Sequence, residues 1–146
     1  MCTTPSGSDI NGYRFTSSLF QIEPGEDQET NPGCYGRQLA IWLKQQLELR
    51  GYSVEPVFNE DWGRCLMCSR DPFLLWVGCG SVGEPGLIGQ ASHEGLVVWH
   101  CFVGAEVPFW KGILRRPDMV AAVATLYRDL GAILAETSGI QMVEEP

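Results

Sequence analysis

The stretch "NEDWGRCLMCSRDPFLLWVGCG", residues 59 to 80, decides how the chain is read, because it supports three incompatible structures. Its three cysteines suggest a metal knuckle or a redox site, its glycines a phosphate loop, and its two apolar runs a β-hairpin. Local chemistry favours the hairpin. "WGRCLMCS" and "FLLWVGCG" are runs of β-favouring length, and the polar link Ser69-Arg70-Asp71-Pro72 between them is turn material.

Strand geometry then disposes of the rivals. Zinc requires both thiols of Cys65-x-x-Cys68 to turn towards one ion, whereas residues three apart on a strand face opposite sides of the sheet. Cys79 stands alone, and His93 and His100 are seven positions apart, so no second ligand pair follows. A thioredoxin-like pair belongs at a helix start, where amide dipoles lower a thiol pKa. Gly78-x-Gly80-x-x-Gly83 matches a phosphate loop by letter, but Glu84-Pro85-Gly86 follow it, and no helix opens there to receive a phosphate. Neither metal nor cofactor is expected.

Outward from the hairpin, "YSVEPVF" (52 to 58) reads as a strand that Pro56 confines to an edge or a bulge. "GLVVWHCFVG" (95 to 104) reads as a strand with both faces covered, "GYRFTSSLFQI" (12 to 22) as a first strand, and "IQMV" (140 to 143) as a last short one. The clearest helix is "NPGCYGRQLAIWLKQQLELRG" (31 to 51), with Asn31 as cap, Pro32 in the first turn and Gly51 as terminator. Its stripe is Tyr35, Leu39, Trp42, Leu43 and Leu47. A second helix is expected from about Pro117 to Thr137, with Val120, Val123, Leu126 or Tyr127, Leu130 and Leu134 on its stripe. The expected fold is α+β: a mainly antiparallel sheet of about five or six strands with two long amphipathic helices packed on it.

The 146 residues suit one domain, residues 12 to 146, behind a disordered N-terminal tail of residues 1 to 11. Ten basic against 18 acidic residues give a net charge of −8, which repels nucleic acid and favours a basic partner. "MCTTPSGSDING" lacks a basic region followed by an apolar one, and no run approaches the roughly 20 apolar residues of a membrane span. A cytoplasmic protein is expected, with most of its six cysteines reduced and buried.

Few residues are left over for chemistry. Cys34, expected about three residues into the first helix and ahead of Arg37, sits where a thiolate would be favoured and is the one candidate nucleophile. His100, in the most apolar strand, reads as a buried neutral histidine, and His93-Glu94 as a solvated loop pair. For partner binding the candidates are Glu60, Asp61 and Trp62, two carboxylates beside an indole, and Phe109 and Trp110, which lie in a connection flanked by Lys111, Arg115 and Arg116. The acidic loop "EPGEDQETNPG" carries Glu23, Glu26, Asp27 and Glu29 without a base. On the same side of the sheet as Glu60 and Asp61 it would form a negative rim.

"NPGCYGRQLAIWLKQQLELRGYSVEPVFNEDWG", then "LLWVGCG", the strand "VVWHCFV" and a C-terminal helix ending in a short strand resemble a family of small bacterial proteins of unassigned function, marked by E-D-W-G and W-x-G-C-G steps. The resemblance covers nearly the whole chain after residue 12. It implies an α+β fold and a bacterial setting but no activity, and this chain departs from it at Arg64, where the family carries an aromatic residue. Size, acidity and the lack of an assembled catalytic set lead to the expectation of a noncatalytic, acidic, cytoplasmic protein-binding domain, of the immunity kind that neutralises a basic bacterial toxin. The alternatives are a thiol enzyme using Cys34 and a small-molecule sensor with a pocket between helix and sheet.

Overall fold

The computed structural model describes residues 12–30, 34–82, 97–107 and 119–143. The tail, His93 and the Phe109–Trp110 pair lie outside the described residues.

The sheet has six strands: β1 (Gly12–Ser17), β2 (Phe58–Glu60), β3 (Gly63–Ser69), β4 (Leu74–Ser81), β5 (Val98–Glu106) and β6 (Ile140–Met142). Their order is β2-β3-β4-β5-β1-β6, and every neighbouring pair is antiparallel. Helix α1 (Arg37–Leu49) precedes β2 and α2 (Val120–Glu136) precedes β6. The fold is α+β. The hairpin read from residues 59 to 80 is the β3–β4 pair, with a register shift between Met67 and Ser69.

Alternation sets what each sheet face does. Leu66, Val77, Cys79, Trp99, Cys101, Val103 and Phe15 point to one side, where they pack with Leu39, Ala40, Leu43 and Leu47 of α1 and with Leu126, Leu130, Ile133 and Leu134 of α2. Leu39, Leu43 and Leu47 recur every four residues and are wholly buried, each worth about 1.5–3 kcal/mol of removed apolar surface. On the opposite face lie Cys65, Met67, Gly78, His100 and Phe102.

Four expectations are corrected. The first helix begins at Arg37 rather than near Pro32, with Gly36 as its N-cap. The second begins at Val120, whose side chain is exposed rather than on the buried stripe. Strand β1 ends at Ser17, five residues early. Residues 52 to 57 form no strand, although the Glu55 N–H donates to the Met67 carbonyl of β3 at 3.0 Å, and β2 takes only Phe58–Glu60 beyond Pro56, a residue that lacks an amide donor for the ladder.

Candidate functional site

Two acidic segments meet the α1 end of the sheet, and they are built differently. Asp61 and Trp62 form the turn that joins β2 to β3, closed by the Glu60–Gly63 pair. Gly63 sits at φ +150°, and a Cβ there would stand 2.5 Å from the Cys79 carbonyl oxygen, so only glycine lets the hairpin lie this close to β4. The Trp62 ring rests 5.2 Å from Phe102 and over Gly78, where a Cβ would come within 2.7 Å of the indole. This explains the W-x-G-C-G step: Gly78 makes room for two rings, and Cys79 fills the core between the glycines. Trp62 is therefore half-buried, and its ring contact with Phe102 anchors the tip. Glu60 and Asp61 remain exposed, and neither carboxylate has a hydrogen bond or ion pair with a described residue.

The loop from Glu23 to Glu29 does the reverse. Glu26, in a short 3-10 turn (Glu26–Gln28), is 3% exposed. Its Oε1 accepts the backbone N–H of Gly36 at 2.7 Å and of Arg37 at 2.9 Å, and its Oε2 accepts the N–H of Glu23 at 2.8 Å. Glu26 thus supplies the N-terminal cap that Gly36 cannot, its charge facing the positive end of the α1 dipole. Asn31 and Pro32, expected in that role, fall outside the described residues. From β3, the buried Arg64 donates Nη2 to the Glu26 carboxylate at 3.3 Å and to its carbonyl oxygen at 3.1 Å, and Nη1 to Glu29 at 2.7 Å and to Asn59. Arg37 reaches Glu23 through Nε at 3.3 Å and Glu29 through Nη2. The hydrogen bond from Arg64, aided by Arg37, holds the Glu29 carboxyl below the usual carboxylate range. Glu23, Glu26 and Glu29 of the expected negative rim are paired with Arg37 and Arg64 of the same chain, which lowers the charge of the loop without cancelling it.

Between these segments opens a polar cleft of about 250 Å³, lined by Glu29, Arg37, Ile41, Val57, Asn59 and Arg64. Sequence reasoning missed Arg64, Glu26 and Arg37 as a unit. The available signal was one cation inside an otherwise apolar strand, which must bring its own counter-charge, and a loop of acids with no base nearby to neutralise them.

Cys34 is corrected as well. It lies three residues before the first helical residue, is wholly buried and is disulfide-bonded, so no thiol is presented for catalysis. Cys65 and Cys68 are both thiols, separated by the strand as its geometry demands: Cys65 lies opposite Gly78 on the face away from the helices, and Cys68 packs against the helix-side core. Burial pushes the thiols of Cys65, Cys68 and Cys79 up to about 12. His100 is buried 5.1 Å from the Phe102 ring. No group of three His, Cys, Asp or Glu that could hold a metal ion occurs among the described residues, and none of the described helices is long and apolar enough to cross a membrane.

Comparison of the chain with protein-family models, with curated proteins and with solved structures found no match.

Proposed function

We propose that this protein is a noncatalytic binding protein, of the immunity kind that neutralises a basic bacterial toxin, and that Glu60 and Asp61 receive the partner's lysines or arginines. The observation that carries this reading is the contrast in carboxylate use. Three acids of the Glu23–Glu29 loop are paired with arginines of the same chain, while the hairpin tip holds two exposed carboxylates on a turn whose Trp62 packs on Phe102. A fixed pair of charges on a chain of net charge −8 steers a cationic partner and sets the salt dependence of encounter. The apolar contact that slows dissociation comes from Trp62 or from Phe109 and Trp110.

The reading places the protein in the bacterial cytoplasm, where thiols such as Cys65 and Cys79 stay reduced. The disulfide at Cys34 is the feature that would favour an oxidising compartment. Alkylation of freshly lysed cells followed by mass spectrometry decides between them.

The functional test is co-expression with the product of the adjacent reading frame. The expected result is a complex whose association slows, and loses its salt dependence, in the Glu60→Gln/Asp61→Asn variant. Unchanged rates in a folded variant would remove the tip from the binding surface. A second reading, a small-molecule sensor, draws its support from the cleft lined by Arg37 and Ile41 of α1 and by Asn59 and Arg64 of β2 and β3.

A further inference from the structure

The cleft brings two guanidinium groups onto one carboxylate, and that carboxylate is the most easily removed part of the arrangement. Arg64 has only 3% of its side chain exposed, and its fork is held by Glu26 on Nη2 and by Asn59 on Nη1. Arg37 is held through Nε by Glu23. Both arginines are thus oriented by groups other than Glu29, and each offers it one further donor. Glu29 lies on an exposed bend after the 3-10 turn, with its side chain 40% exposed, and among the described residues its carboxylate is held by these arginines alone. Beside the charged floor stand Ile41, 49% exposed, and the half-buried Val57, an apolar wall for which the ion network has no use.

We propose that Glu29 is an internal stand-in and that the cleft takes a small organic carboxylate, whose head replaces Glu29 between Arg37 and Arg64 while its apolar part lies on Ile41 and Val57. Paired guanidiniums suit a carboxylate because each can give it a short, charge-assisted hydrogen bond in a fixed plane. A volume of about 250 Å³ admits a small acid and falls below the roughly 300–1,000 Å³ of sites for drug-sized ligands. The chain's net charge of −8 selects against polyanions, which feel the whole field, and leaves a monoanion that can be held by two local charges. The cleft adjoins the hairpin tip but its lining includes neither Glu60 nor Asp61, so the variants that test the one leave the other's residues in place.

The test is a titration of isotope-labelled protein with sodium isobutyrate at constant ionic strength, followed by amide shifts. Two further arms, an acetylated tripeptide ending in valine and its C-terminal amide, separate a free small acid from the carboxyl end of a peptide. Saturable shifts at Arg37, Ile41, Val57 and Asn59 are expected. Glu29→Ala should bind about 10-fold more tightly by removing the competitor, a difference of about 1.4 kcal/mol. Arg37→Ala, at an exposed pair whose loss leaves the fold intact, should abolish binding. Saturation by isobutyrate identifies a free acid as the ligand; response to the peptide acid alone, lost on amidation, identifies a chain terminus. Absence of saturable shifts with both acids in the wild type and in Glu29→Ala overturns the proposal. So does an affinity that Glu29→Ala leaves unchanged or that Arg37→Ala does not weaken.

Discussion

The loop from Glu23 to Glu29 and the hairpin tip Glu60–Asp61 carry the same chemical groups at the same end of the sheet, and they have opposite fates. Glu26 is buried beneath two helix amides and a guanidinium, whereas Glu60 and Asp61 face solvent without a described partner. The difference lies in what other elements bring. Arg64 from β3 and Arg37 from α1 both reach the loop, and neither bonds the tip. A run of like charges therefore says little about function until the cations facing it are known: one acidic run here builds the fold, the other stays available.

The contrast breaks most visibly at Arg64. Arg64→Ala leaves the Glu26 carboxylate buried without its counter-charge and is expected to cost about 3–5 kcal/mol, read as a lower denaturation midpoint in urea. A loss below about 1 kcal/mol, typical of exposed ion pairs, would show that the loop is solvated like the tip. Trp62→Ala tests the other side. Removing a half-buried ring from Phe102 is expected to cost about 1–2 kcal/mol and to loosen the tip, seen as faster amide exchange at Glu60 and Asp61.

Acid sharpens the comparison further. Arg64 and Arg37 hold Glu29, and Arg70 holds Glu55, below the usual carboxylate range. Because the folded-state pKa is depressed, the stability these groups contribute is present above the unfolded value of about 4.3 and is lost as pH falls through the lower folded value. Midpoints measured across the acid range should fall on descending below that value, and the fall should shrink in Arg64→Ala. Thiol reactivity gives the smallest signal. With their thiols pushed up to about 12 by burial, Cys65 and Cys79 should resist iodoacetamide at neutral pH in the native protein and react fully in denaturant. Rapid native labelling would mean that the sheet opens beside the hairpin.

Much of the architecture was legible because it is local. The Asp-Pro link announces the β3–β4 turn, and the four-residue recurrence of Leu39, Leu43 and Leu47 marks the buried side of α1. The start of α1 was misread for a physical reason: its cap is Glu26, ten residues before Gly36 in sequence, and rules that look only at neighbouring residues chose Asn31. The placement of Cys34 inside the helix fails for the same reason, since the residue lies ahead of Arg37, where α1 begins. The cleft was not legible, because its lining comes from the acidic loop, from α1 and from two adjoining strands with the segment before them, and only the folded chain assembles them.

The most direct measurement neutralises one charge set of each kind and compares urea denaturation side by side. Glu26→Gln is expected to lose about 2–3 kcal/mol, since the helix cap and the buried Arg64 both depend on that carboxylate. Glu60→Gln with Asp61→Asn is expected to stay within about 0.5 kcal/mol of the parent. Equal losses in the two variants, or a larger one at the tip, would contradict the division of the acidic residues into those that hold the fold and those free to meet a partner.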